Sequence, residues 1–291
     1  MAKKITRRSF LKRFLYSSLG VFGIGGGTYY YAKFLEPSML KIKEESIYSP
    51  KLPESFTGMK IVHFGDTHLG FHYSLNQLEK LVDQINQLNP DIVFFTGDLI
   101  DDPKIYPPNQ FQTCSEILSA IKAPFGKFWI YGNHDHGGYG TDIIKDVMKL
   151  GGFQLLQNEA IEMEQNSEKI NIGGLDDVML GRPDLDRTFE TTNFDHFTIL
   201  LCHEPDFADQ TIRYPVDVQF SGHSHGGQIQ IPLIGYVITP PFAEKYVEGK
   251  HTIGDSLQLY ITRGIGTTRL PYRFLCKPEI NVYTLENSQI D

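Results

Sequence analysis

Three short stretches decide the fold: residues 60–68 (KIVHFGDTH), 91–98 (DIVFFTGD) and 127–135 (KFWIYGNHD). Each opens with an apolar run rich in β-branched and aromatic residues, and each closes with a glycine followed by polar side chains. Helical patterns fill the intervals. Residues 74–88 place Leu75, Leu78, Leu81, Val82, Ile85 and Leu88 at a 3.6-residue period, and Asn89-Pro90 stops the run. Residues 111–121 and 141–150 read as a second and third helix, the latter ended by Gly151-Gly152. Alternation of continuous apolar strands with helices predicts a buried, mostly parallel sheet.

The second half changes character. Residues 153–176 read as short, more polar strands. Further strands are expected at residues 197–202, 217–220, 228–231, 257–262 and 280–285, with few long helices between them. The expectation is one α/β domain over residues 59–291, preceded by a linker and lead-in over residues 36–58 that carries Pro37, Pro50 and Pro53.

The N-terminus reads as an address. The first 35 residues hold seven Lys/Arg and no acid, and a glycine-rich stretch of modest hydrophobicity follows the charges. Residues 6–12 (TRRSFLK) resemble the twin-arginine export consensus, so residues 1–35 are expected to act as a signal or anchor segment. That implies the twin-arginine export machinery as a partner and transient membrane contact. The destination would lie beyond the cytoplasmic membrane: cell wall, membrane surface or medium. The rest of the chain sets 20 basic against 35 acidic residues. Such a body is poorly suited to gripping a long polyanion, and no stable nucleic-acid partner is expected. Cys114, Cys202 and Cys276 form neither a disulfide framework nor a CxxC pair and read as small buried hydrophobes.

Five polar clusters each follow directly on a predicted strand: Asp66-Thr67-His68; Asp98 with Asp101 three residues on; Asn133-His134-Asp135; His203; and His223-Ser224-His225. In open α/β sheets, ligands bind beyond the carboxyl ends of strands, so these clusters should converge on one crevice. The glycine before each acid or amide is expected to let the backbone turn sharply out of its strand. Four His, two Asp and one Asn make a mixed nitrogen and oxygen ligand set without thiolate, which suits Mn, Fe, Zn or Co. Seven side chains exceed one tetrahedral ion and suffice for two if a carboxylate bridges; Asp98 is the natural bridge.

These blocks, in this order, resemble the calcineurin-like metallophosphoesterase superfamily: Asp-x-His, Gly-Asp-x-x-Asp, Gly-Asn-His-Asp, a lone His, then Gly-His-x-His. The leader, GNHDHGGYG, SGHSHGGQIQIP and ITRGIGTTRLPYRF extend the resemblance to its exported YkuE/YaeI-like phosphodiesterase branch. The resemblance implies a four-layer αββα sandwich with two mixed sheets. It implies one metal on Asp66, His68, Asp98 and His225 and a second on Asp98, Asn133, His203 and His223. The implied reaction is phosphate-ester hydrolysis by in-line attack of a metal-bridging hydroxide, with a phosphodiester as the expected substrate. His134 would serve the transition state or leaving group, oriented by Asp101. Alternatives are a pyrophosphatase acting on a nucleotide-linked lipid or sugar of the UDP-diacylglucosamine type, or a non-catalytic metal-binding envelope protein. His72 and His136 read as flanking the site, and His63 as a core histidine. Arg263 and Arg269 are open between substrate contact and structural use.

Overall fold

The computed structural model describes residues 7–136 and 141–288. The first residues of the basic leader, and the glycine-rich end of GNHDHGGYG at residues 137–140, lie outside the described residues. The chain begins with helix α1 (Arg7–Tyr30) and a turn of π-helix (Tyr31–Leu35). Among the described residues no helix is long and apolar enough to cross a membrane.

Strands β1 (Lys41–Ser49), β2 (Lys60–Phe64), β3 (Ile92–Phe95), β4 (Lys127–Trp129) and β5 (Gln154–Leu155) contribute to the first large sheet. Between them run α2 (Leu75–Gln87), α3 (Gln110–Ser119) and α4 (Thr141–Leu150). Helix α2 starts where its sequence says it should. Ser74 Oγ accepts from Gln77 N–H, the Gln77 side chain accepts from Ser74 N–H at 3.0 Å, and Leu78, Leu81, Val82 and Ile85 are buried. The second sheet is built from β6 (Glu159–Gln165), β7 (Glu168–Gly174), β8 (Phe197–Leu201), β9 (Val218–Ser221), β12 (Gly249–Ile253) and β13 (Leu257–Ile261). Short helices α5 (Leu185–Thr188) and α6 (Ala208–Thr211) lie within it in sequence, and β10 (Gln230–Ile231) and β11 (Gly235–Tyr236) form a separate hairpin.

The last strand, β14 (Glu279–Asn287), returns to the first sheet and gives the order β1-β14-β2-β3-β4-β5. It runs parallel to β1 and antiparallel to β2. The second sheet has the order β12-β13-β9-β8-β7-β6, antiparallel at both edges and parallel inside. Period-2 alternation sends Val62 and Phe64 toward the helices, and Ile61 toward the other sheet. A third cluster, with Leu185 and Ala208, covers the far face of the second sheet. The layers are therefore helices, sheet, sheet, and short helices with loops: the four-layer αββα sandwich with two mixed sheets.

The lead-in needs correction. Residues 41–49 are not linker but the edge strand β1, paired along its full length with β14 from Lys41–Glu279 to Ser49–Asn287. Just before it, buried Glu36 accepts backbone N–H groups of Leu275 at 2.9 Å and Cys276 at 2.5 Å. The folded body thus begins near residue 32, where the Ala32 carbonyl accepts from Arg273 N–H.

His63 is buried between the sheets beside the Phe220 ring, its Nε2 3.0 Å from Thr96 Oγ1. Burial pushes its pKa down to about 3 from an ordinary 6.5. The unfolded chain therefore takes up this proton near pH 6.5 while the folded chain refuses it until about 3. Stability is undiminished above 6.5 and falls as pH drops through that window. His63→Phe cannot titrate, and its unfolding midpoint should decline less steeply with falling pH than the parent's. Parallel midpoint curves would clear this histidine of the effect.

Candidate metal centre

The parallel strands β2, β3 and β4 of one sheet and β8 and β9 of the other release their loops at the same end. Backbone hydrogen bonds lock those loops together: Asp66 N–H donates to Gly97 O, His68 N–H to Asp98 O, and Gly222 N–H to His203 O. Asp135 fastens a further loop. Its carboxylate accepts N–H groups of Asp98, Leu99 and Gly132 at 2.6, 3.0 and 3.1 Å.

Five of the seven candidate ligands hold a left-handed backbone: Asp66 (φ 53°), His68 (44°), Asp98 (59°), His223 (66°) and His225 (50°). Such conformations are uncommon for residues with a Cβ and gather at functional sites. The sharp turn is thus made mainly by the acids and histidines themselves. The preceding glycines mostly do something else. Gly65, Gly132 and Gly222 have ordinary φ, and a Cβ on Gly132 or Gly222 would collide with the carboxylate of Asp98 or Asp66. Only Gly97 (φ 96°) fits the expectation of a turning glycine.

The structure brings the predicted residues together. Ligand atoms of Asp66, His68 and His225 lie within 4.8 Å of one another, as do those of Asp98, His203 and His223, and those of His68, Asp98 and His134. Asp98 Oδ2 stands between the first two groups, 3.5 Å from His68 Nε2 and 3.4 Å from His203 Nε2. Asn133 lines the same cavity, and its buried Oδ1 has no hydrogen-bond partner.

Imidazole nitrogens face each other, with His68 Nε2 3.0 Å from His225 Nε2 and His223 Nδ1 3.2 Å from His203 Nε2. All four rings and both carboxylates are almost completely buried. A cluster of lone pairs aimed inward, with an orphaned amide oxygen beside it, fits divalent cations far better than it fits a hydrogen-bond network.

The side chains' own charges prepare part of this set. Burial pushes the Asp66 carboxyl up, to about 6. Burial would raise Asp98 too, but His203, His134 and His68 outweigh it and hold that carboxyl well below the usual range. His203 is held well above an ordinary histidine, Asp98 overcoming its burial. Burial and the His203 charge press His223 down to about 3, and burial, His68 and Arg273 hold His225 well below normal. Two neutral imidazoles are thus preformed as ligands, whereas His203 must lose a proton to coordinate.

His134 lines the cavity, its side chain one-fifth exposed. Burial opposes its protonation, yet Asp98 and the Asp101 carbonyl and carboxylate prevail and raise its pKa. The expected orientation of His134 by the Asp101 acid is corrected. His134 Nδ1 donates to the Asp101 backbone carbonyl at 2.5 Å, while the carboxylate lies 3.9 Å away. That carboxylate takes His68 Nδ1 at 3.0 Å and the Thr268 hydroxyl at 3.2 Å. Asp101 therefore fixes the ring of a candidate ligand as well as the position of His134.

The cavity holds about 540 Å³. Its lining combines the polar cluster, Thr268 and Arg269 with apolar wall residues Met179, Ile229, Ile231, Val237, Ile238 and Leu270. Arg263 turns away into an ion pair with Glu248 at 2.7 Å. His136 sits against Asp176 at 3.1 Å, and exposed His72 does not line the cavity. His196 faces Glu162, and His251 bonds the Glu248 carbonyl. All three cysteines are free and buried.

Arg273 escaped the sequence reading. It is buried, and its guanidinium donates to the carbonyls of Arg263, Gly264, Gly266 and Cys276. It thereby braces the loop whose Gly266 N–H bonds Asp66 O at 2.7 Å.

The calcineurin-like phosphoesterase family matches residues 59–227. A metallophosphoesterase of Bacillus subtilis, YkuE, described as uncharacterized, is 47% identical over 98% of this chain and 99% of its own. UDP-2,3-diacylglucosamine pyrophosphatase LpxG of Chlamydia trachomatis is 28% identical over 87% of this chain and 91% of its own. Among solved structures, the NAD nucleotidase of Haemophilus influenzae gives a TM-score of 0.47 at 15% identity, covering 71% of this chain and 45% of its own.

Proposed function

The chain belongs to the calcineurin-like phosphoesterases, metal-dependent hydrolases of phosphate esters that use two divalent ions, and from that premise we propose that it is an exported phosphodiesterase. Asp66, His68, Asp98 and His225 would hold one ion, and Asp98, Asn133, His203 and His223 the other. Manganese, zinc, iron and cobalt all suit this imidazole, carboxylate and amide set. Bound there, the pair supplies Lewis acidity toward the phosphoryl oxygens and acidifies water.

The chain's own groups do the rest. Asp98 and Asp66 would neutralise part of the cations' charge. His134, held by the Asp101 carbonyl, gives a proton to the departing alkoxide. Arg269, on the cavity wall, steadies a non-bridging oxygen. Asp101 and Thr268 keep the His68 ring in register. The observation that carries this reading is Asp98 standing between two groups of buried ligand atoms.

Export rests on the match of residues 6–12 to the twin-arginine consensus and on the basic, acid-free leader. Folded export suits a protein that takes its metals in the cytoplasm. The exported enzyme would reside at the cell wall, at the membrane surface or in the medium, touching the membrane transiently through residues 1–35.

The apolar cavity wall favours a second reading, a pyrophosphatase on a nucleotide-linked lipid or sugar, in line with the similarity to LpxG. A substrate panel on protein loaded with manganese, then zinc, separates the two. A bis-aryl phosphodiester should be cleaved faster than the aryl monoester and a UDP-sugar. Turnover confined to a UDP-linked diacyl sugar would sink the first reading and establish the second.

A further inference from the structure

The β10–β11 hairpin belongs to neither large sheet. Gln230 pairs with Tyr236 and Ile231 with Gly235, and the Ile234 N–H closes the reversal onto Ile231 O at 3.0 Å. The tip is apolar and bare. Leu233 is as exposed as in an open chain, Ile234 is 73% exposed and Ile238 72%. Single exposed leucines are ordinary, but a contiguous projecting patch is not. Leu233 also sits at φ 69°, where a glycine would be free of strain, yet a large apolar side chain stands there.

We propose that this tip inserts into the surface of an anionic lipid bilayer. The tip residues join none of the three buried clusters and are open to their surroundings, which suits a fluid apolar phase. The base of the hairpin joins the seam that carries the leader. Gln230 N–H donates to Phe274 O at 2.8 Å, Phe274 N–H donates to Gln228 O, and the Phe274 ring meets Tyr31 edge-on at 6.3 Å. Beside it, Tyr272 meets Tyr29 at 5.8 Å with the Lys33 ammonium 6.0 Å from the Tyr272 ring. Tyrosines and a lysine at the base of an apolar hairpin match the composition of a membrane interface, with rings at headgroup level and the cation toward lipid phosphate.

Charge in the sequence favours the leader as the anionic contact. Seven basic residues and no acid lie in the first 35, whereas the remaining body is strongly acidic and is repelled by an anionic surface. Docking there would hold the rim of the cavity at the bilayer, because Ile231 of the hairpin, with Val237 and Ile238 directly after it, also lines the cavity.

The chain offers its own optical test, since its single tryptophan, Trp129, is buried. The full-length Leu233→Trp protein is mixed with vesicles of phosphatidylglycerol and phosphatidylethanolamine. Its emission should move to shorter wavelength and be quenched by lipids brominated along the acyl chain. The double substitution Leu233→Ser and Ile234→Ser should lower vesicle partitioning by at least about tenfold. Hydrolysis of a soluble diester should be unchanged, because neither side chain lines the cavity.

Water-like emission on vesicles that sediment the chain would overturn the proposal. So would a blue shift that grows with protein concentration without lipid, which would mean a second copy covers the tip. Equal binding to neutral phosphatidylcholine vesicles would overturn the anionic assignment.

Discussion

Replacing His134 with alanine is expected to lower kcat by about a hundredfold to ten-thousandfold on a diester with a poor leaving group, while both metals stay bound. The imidazole lines the cavity and is positioned by a backbone carbonyl, which no side-chain substitution elsewhere removes. Its pKa in the metal-free protein is raised, Asp98 and Asp101 overcoming burial; bound cations would draw it part of the way back. A protonated donor is lost as pH rises, so the parent rate should fall along an alkaline limb, and the variant should lack that limb. The deficit should shrink for a nitrophenyl ester, whose leaving group needs little protonation.

Metal content decides what the loss means. His134 also lies within ligand range of His68 and Asp98. A variant that kept only one ion would make His134 a ligand, and the proton-donor role would fall. Normal metal and normal turnover on poor leaving groups would remove His134 from the chemistry altogether.

Strands β2, β3 and β4 and helix α2 were legible because their signals are local. Four or five apolar residues between a charge and a glycine need no partner to be recognised, and the Ser74–Gln77 cap announces its helix. Strand β1 was not legible. KIKEESIYS is a polar edge strand whose only register is with residues 279–287, more than two hundred positions away. Nothing within nine residues can encode that pairing, so the stretch passed for linker.

At the site the ligands were legible because His, Asp and Asn after strand ends name their own chemistry. Their supports were not. Glu36 and Arg273 are buried side chains bonded mainly to backbone groups, and in sequence they look like any surface Glu or Arg. Asp135 was visible beside His134, but its service as a clasp for three N–H groups depends on a loop 36 or 37 residues away.

Asp98→Asn should be the most damaging conservative change in the chain. The amide keeps the shape and can still accept the His134 N–H that Asp98 Oδ1 takes at 2.9 Å. What disappears is the charge between the two ligand groups. Lewis-acid catalysis contributes several kcal/mol, so turnover should drop by more than about a thousandfold. The parent should bind two ions and the variant should retain fewer.

Stability gives an independent readout. An ion present at a hundred times its Kd adds about 2.7 kcal/mol, so two filled sites should raise the parent Tm by on the order of 10 °C. The variant's Tm should respond weakly to added manganese. pH sharpens the argument, because His203 owes its raised pKa to Asp98 and must deprotonate before it can coordinate. Parent metal affinity should therefore rise with pH as that proton leaves. In Asp98→Asn the His203 pKa falls, so the residual binding should reach its plateau at lower pH. If the variant held two ions and kept the full metal-induced rise in Tm, Asp98 could not be the residue that joins the two sites.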